Sequence, residues 1–251
     1  MPSAYIREMT IGEILRGTLR LYRRSFVPNT LAYALPNVPF SLVYFYGMMQ
    51  QSAPAMIAAW LLVIPGAFIS YTAITLCISD ACVGNVPSLR RSFLRTRAIA
   101  GSLIVVSILQ ALVIFAGIVA LLIPGVIFAL WFNFAPIVVV LEGRTGRAAL
   151  SRSRALGKGF YLRNLAVLAL TMIVAGGIFF VGFLVLMLVA VGMAAVQVPA
   201  PIVGAVVWII WNGLGWVVYP LLYVSLILTY YDLRARKEAF DSVALAAELM
   251  R

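Results

Sequence analysis

The sequence contains no histidine, two cysteines and eight acidic residues among 251. Without histidine there is no Ser-His-Asp triad and no imidazole ligand for a catalytic metal. No Gly-x-Ser-x-Gly elbow and no phosphate-binding loop ending in Gly-Lys-Ser/Thr is present, and no carboxylate pair lies inside an apolar stretch. Neither an enzyme nor a cofactor is therefore expected. Cys77 and Cys82 give too little for a disulfide framework or a zinc site. Charged residues make up 11% of the chain, against about 25% in soluble domains. Hydrophobic residues reach 64%, where roughly 45–50% is usual. Together these values exclude disorder and an ordinary water-soluble domain. A polytopic membrane protein remains.

Nineteen Lys and Arg give a net charge of +11. They fall in four clusters: five from Arg7 to Arg24, four from Arg90 to Arg97, six from Arg144 to Arg163 and four from Arg234 to Arg251. Basic residues flanking apolar segments set orientation in a membrane, and no nucleic-acid partner is expected. Between the clusters lie three charge-free stretches, 25–79, 98–141 and 164–231. About 20 apolar residues cross the hydrocarbon core, so each stretch holds two crossings. Basic flanks at both ends of each stretch require an even number, which gives six. The spans are expected at 30–49, 55–82, 98–123, 124–141, 165–193 and 202–231. Their turns fall at Gln50-Gln51-Ser52-Ala53-Pro54, Ile123-Pro124-Gly125 and Gln197-Val198-Pro199-Ala200-Pro201. The first long apolar run begins after Arg24, so no cleavable leader is expected.

Residues 10–26 have helical periodicity: Ile11, Ile14, Leu15, Leu19, Tyr22 and Phe26 on one face, Glu13, Arg16, Arg20, Arg23 and Arg24 on the other. Thr10-Ile11-Gly12-Glu13 fits a capping box, and Pro28 is expected to end the helix. Arg16, Arg20, Arg23 and Arg24 are candidates for anionic lipid headgroups, with Ile14, Leu15, Leu19 and Tyr22 entering the acyl boundary. Similar basic segments, Leu89-Arg90-Arg91-Ser92 and Leu150-Ser151-Arg152-Ser153, precede the other apolar stretches. Residues 62–66 echo 121–125. A loose threefold unit of basic surface helix plus hairpin follows.

Asp80, Glu142 and Asp232 close the second, fourth and sixth spans and are expected to form helix-end ion pairs, Glu142 with Arg144 and Asp232 with Arg234. Gln110, Asn133 and Asn212 are read as intramembrane polar contacts between helices. Pro65, Pro136 and Pro220 are expected to kink their helices. Trp60, Trp208, Trp211, Trp216 and the Tyr230-Tyr231 pair read as interfacial aromatic belts.

Four stretches resemble the glycerophosphoryl diester phosphodiesterase membrane-domain family of prokaryotes. They are Thr10-Ile11-Gly12-Glu13-Ile14-Leu15 with Leu19 to Phe26; Ile123-Pro124-Gly125 through Pro136 to Glu142-Gly143; Ala149 to Phe160; and Tyr230-Tyr231-Asp232-Leu233-Arg234-Ala235-Arg236-Lys237-Glu238-Ala239-Phe240-Asp241. Ser151 and Ala155 depart from the pattern. The resemblance implies a stand-alone membrane region without the soluble catalytic domain of some relatives, and no catalytic residue carries over.

The expected architecture is all-α, one membrane domain over 1–251. Interfacial helices at 10–27, 87–97 and 145–162 precede hairpins at 30–82, 98–141 and 165–231, followed by a cytoplasmic tail over 232–251. The expected role is a non-catalytic scaffold or accessory subunit of the prokaryotic inner membrane. Its partners would be membrane lipids, a cytoplasmic protein or a second copy of the chain. The alternative is a transporter or lipid-handling protein with a cleft between hairpins. Both termini should be cytoplasmic. Alkaline phosphatase fused after Arg251 is therefore expected to be inactive in cells, and an active fusion overturns the topology.

Overall fold

The computed structural model describes residues 5–120 and 122–249. Ten helices and no strand occur among them. They are α1 (Ile11–Arg24), α2 (Phe26–Met49), α3 (Ala53–Val83), α4 (Leu89–Ala120), α5 (Leu122–Phe132), α6 (Ala135–Glu142), α7 (Gly146–Gly157), α8 (Tyr161–Ala195), α9 (Ala200–Glu238) and α10 (Ser242–Leu249). Five stretches are long and apolar enough to cross a membrane: Ala53–Val83, Leu89–Val119, Ile123–Glu142, Tyr161–Ala195 and Ala200–Glu238. Beyond its first turn α8 is apolar on nearly every side and exposes Phe180, Leu184 and Leu188, a surface suited to lipid and not to water. α2 is uncharged and 24 residues long but is not among the five. Pro28, Asn29, Pro36, Asn37 and Pro39 dilute its apolarity.

α2 packs along α3, α4 along α5, and α8 along α9. Close backbone approach explains two of these pairings. A Cβ on Gly66 would lie 3.0 Å from the Pro36 carbonyl oxygen, and one on Gly117 would lie 2.9 Å from the Gly125 Cα.

Several boundaries differ from those expected. Thr10 does cap α1: its hydroxyl accepts from Glu13 N, and the Glu13 carboxylate accepts from Thr10 N at 2.7 Å. The break after α1 falls at Ser25, not at Pro28. Pro28 enters the first turn of α2, where a missing N–H costs little. Residues 87–97 do not form a separate helix, because nothing there interrupts hydrogen bonding and α4 runs unbroken from Leu89. Ile123-Pro124-Gly125 is not a turn. It lies in the first turns of α5, while Pro65 is well inside α3, so the two Pro-Gly pairs of the 62–66 and 121–125 echo stand at different positions of their helices. Leu121 and Arg251, which enter that echo and the last basic cluster, lie outside the described residues. The expected tail is helical as well: α9 continues to Glu238, and α10 packs on α3 and α6 with Leu245 and Leu249 buried.

The fourth apolar stretch does not merely kink at Pro136 but divides one turn earlier, at Asn133-Phe134. A break in apolar surroundings leaves backbone groups without partners. Ser153 of α7 supplies them: its hydroxyl donates to the Trp131 carbonyl at 2.8 Å and accepts from Phe134 N at 3.2 Å. α7 is thereby held against α4, α5 and α6, with Ala149, Leu150 and Leu156 buried. Replacing fully buried Ser153 by Ala orphans both groups and should destabilise the protein by about 1–3 kcal/mol. Ser151→Ala, on the exposed face, should be near neutral. Thermal unfolding of the purified variants in one detergent measures the difference.

Candidate functional site

Two features stand out, an ionic closure at one end of the bundle and an aromatic cleft in its middle. The closure is organised by Asp232, whose side chain has no solvent exposure. Its carboxylate accepts from Met9 N at 2.6 Å, from Arg163 at 2.9 Å and from Arg236 at 3.1 Å. Both arginines also donate to the Met9 carbonyl, and Arg236 pairs with Glu8 at 3.1 Å. The segment before α1 and the start of α8 are thus tied to the end of α9. Arg234 does not pair with Asp232. Four residues separate Asp232 from Arg236, one helical turn, so Arg236 lies on its face and Arg234 points elsewhere.

Arg234 joins a second group. It pairs with Glu238 at 3.0 Å and Glu248 at 2.9 Å, and lies over the Phe240 ring at 3.6 Å. Glu142 accepts from Tyr230 Oη at 2.8 Å, from Arg152 at 2.8 Å and from Arg144 at 3.1 Å. The Arg144 pair is as expected; Arg152 and Tyr230 are added by the fold. Arg152 also pairs with Glu238. Burial opposes the charged Arg152 guanidinium, but its hydrogen bonds to Glu238 and Glu142 prevail and raise its pKa above the ordinary value. Tyr230 and Tyr231 are fully buried in this group and form no interfacial belt. Asp80, the third acidic helix end, makes no ion pair among the described residues. It is buried beside Arg91 and Arg95, which donate to the Leu249 carbonyl, and a void of about 10 Å³ separates the groups. Such a void has room for about one water.

The cleft, about 390 Å³, opens between α2–α3 and α8–α9. Tyr33, Asn37, Phe40, Ser41 and Tyr44 form the α2 wall, and α9 supplies Trp208, Trp211, Asn212, Trp216 and Tyr219. Trp60 and Phe179 complete it. Aromatic pairs join the walls: Tyr44 stacks on Trp208 at 5.8 Å, Tyr33 on Tyr219 at 5.4 Å, and Phe179 meets Trp211 at 5.4 Å. At 1.5 Å rise per residue, Trp208 lies roughly 12 Å and Tyr219 roughly 28 Å along α9 from its first residue. Trp60 of α3 and Trp208, Trp211 and Trp216 of α9 all line this one cleft. Among the described residues no acidic or basic side chain lines the cleft. Ser41 lines it too and is 5% exposed, with no hydrogen-bond partner for its hydroxyl among the described residues. The sequence signal for this wall is the spacing of residues 33, 37, 40, 41 and 44 and of residues 208, 212, 216 and 219, one helix face each.

The intramembrane amides do not bridge helices as expected. Asn212 donates to the Trp208 carbonyl within α9 at 2.9 Å, and the Asn133 side-chain Oδ1, at the α5–α6 break, is buried without a partner among the described residues. Gln110 is half-buried on α4, away from both features. The amide that does bridge is Asn37, bonded to Ser70 of α3 at 3.0 Å.

On α1, Arg16, Arg20, Arg23 and Arg24 are exposed, and none pairs with an acid among the described residues. Its apolar face is covered by protein, not lipid. Ile14 and Leu21 are fully buried, α1 packs on α9, and Tyr22 Oη donates to the Val217 carbonyl at 2.5 Å. Leu19 alone of the expected acyl-facing residues is exposed. The Thr10 backbone N–H, with Arg7 and the Thr10 hydroxyl, holds the Glu13 carboxyl down at about 2.

Comparison with protein-family models, curated proteins and solved structures gives no match.

Asp232→Asn leaves two guanidiniums facing a neutral amide and should cost about 3–5 kcal/mol, the usual penalty for breaking a buried pair. Glu8→Gln, at an exposed partner of the same arginine, should cost no more than about 1 kcal/mol. Equal shifts in unfolding midpoint for the two variants would remove Asp232 from the centre of the closure.

Proposed function

We propose that the chain is a lipid-handling integral membrane protein whose working site is the cleft between α2–α3 and α8–α9. The observation that carries this reading is a mid-bundle cleft walled by four of the chain's five tryptophans and free of charge. Aromatic faces receive an apolar chain, and they attract a quaternary ammonium head through the ring quadrupole. Asn37, Asn212 and Ser41 offer polar contacts to an uncharged head. An anionic head would find no cation there. The reading needs no cofactor and no catalytic group.

The same proposal takes α2 as a sixth crossing. It packs along α3, and six crossings leave every basic cluster on one side, as positive charge in short loops favours. The ionic closure then faces the cytoplasm of a prokaryotic cell, with both termini beside it. Membership of the glycerophosphoryl diester phosphodiesterase membrane-domain family is part of the proposal; the terminal stretch 230–241 that carries the resemblance also builds the closure.

A second reading, a scaffold or accessory subunit, draws on the four exposed arginines of α1. Arg16 and Arg20 border a hollow of about 260 Å³ beside Tyr5, a surface for anionic lipid, a cytoplasmic protein or a second copy of the chain.

Four tryptophans in one cleft make intrinsic emission the direct test. In lipid nanodiscs, lauryl trimethylammonium is expected to shift the emission saturably, and lauryl sulfate is not. Asn212→Phe, which fills the cleft, should abolish the saturable part. An equal response to both amphiphiles, or an unchanged response in Asn212→Phe, defeats the cleft reading and leaves the scaffold.

A further inference from the structure

A second groove lies on the opposite side of α2, between α2, α3 and α4, with a volume of about 470 Å³. Leu35 and Pro36 line it from α2, Ile69 from α3, and Phe93 and Ala100 from α4. Its one charged lining residue is Arg97. Arg97 is exposed and makes no ion pair or hydrogen bond among the described residues, unlike Arg91 and Arg95 of the same helix, which are engaged with Leu249.

Position along the helices gives the groove a depth. Arg97 is roughly 12 Å from the first residue of α4, and Pro36 roughly 15 Å from that of α2. Ile69 is roughly 21 Å from the last residue of α3. All three distances run from the end of the bundle that carries the ionic closure, so the groove descends from that face into the apolar zone. An unpaired cation at the rim of an apolar groove within a membrane-crossing stretch has a costly solvation problem. The long arginine stem lets the guanidinium reach toward the headgroup layer while its methylenes stay in the groove. A planar donor fork at that level matches a phosphate.

We propose that this groove is a binding site for one anionic phospholipid of the leaflet at the ionic end, its phosphate on Arg97 and an acyl chain along Leu35, Ile69 and Ala100. The site is separate from the aromatic cleft and stands or falls independently of the function proposed for it. Charge separates the two: the cleft has no cation for a phosphate, and the groove has one.

The test is native mass spectrometry of the protein released from bilayers mixed equally from phosphatidylglycerol and phosphatidylcholine. Wild type is expected to retain phosphatidylglycerol in preference. Arg97→Gln should lower that retention about fivefold, the contribution of one basic residue near an anionic surface. Arg90→Gln, which removes the same charge from the same cluster outside the groove, should leave it unchanged. Ala100→Phe fills the groove with Arg97 intact and should also release the lipid, so the proposal remains testable if either variant fails to fold. Adding inorganic phosphate should not displace the lipid. Equal retention of the two lipids by wild type, no loss in Arg97→Gln, an equal loss in Arg90→Gln, no loss in Ala100→Phe, or displacement by phosphate alone would each overturn it.

Discussion

A carboxylate without access to solvent governs one end of this molecule. Burying the Asp232 carboxylate is costly unless donors surround it, and meeting that need draws three separate parts of the chain together. Met9 comes from the segment before α1, Arg163 from the start of α8, and Arg236 from one turn further along α9. Glu142 does the same for α6, α7 and α9 through Arg152 and Tyr230. Elsewhere the helices share apolar surfaces, and lipid competes for those surfaces almost as well as protein does. Ionic and hydrogen-bonded contacts discriminate where apolar contacts do not, so the closure decides which helix ends meet.

The middle of the bundle obeys a different rule. There, charge is absent and aromatic rings meet across a gap instead of closing it. Bulky planar side chains at one helix face, with Gly215 among them, leave space that branched aliphatic residues would fill. The result is an uncharged cleft roofed by no ion pair. An ionic end and an aromatic middle divide the labour: the first holds α1, α8 and α9 in place, and the second has room for an occupant.

Proline is accommodated in three ways here. Pro28 stands in a first turn, where its missing donor is not needed. Pro36 and Pro39 sit inside α2 and leave the Ala32 and Leu35 carbonyls without an N–H four residues on; the neighbouring Tyr33 carbonyl accepts from Asn37 and Ser70. Pro136 follows a full break whose loose ends are taken by Ser153 from another helix. At that break the polar partner lies where the backbone cannot satisfy itself, as an apolar surrounding requires.

The helical class, the apolar stretches and the cap at Thr10 are legible in the sequence because each depends on residues close together along the chain. Hydropathy needs a window of one helix, and a capping box needs four residues. The ionic partners of Asp232 are not legible in that way. Residues at 9, 163 and 236 are chosen by packing, and only the Arg236 pair has a helical spacing that could have marked it. For α1, periodicity identifies an apolar face but not what covers it, since protein and lipid satisfy the same side chains equally well. The cleft illustrates the same limit. Its two walls can be read as stripes on α2 and α9, yet only the tertiary arrangement turns the stripes toward each other, because the facing of two helices depends on contacts that neither carries alone.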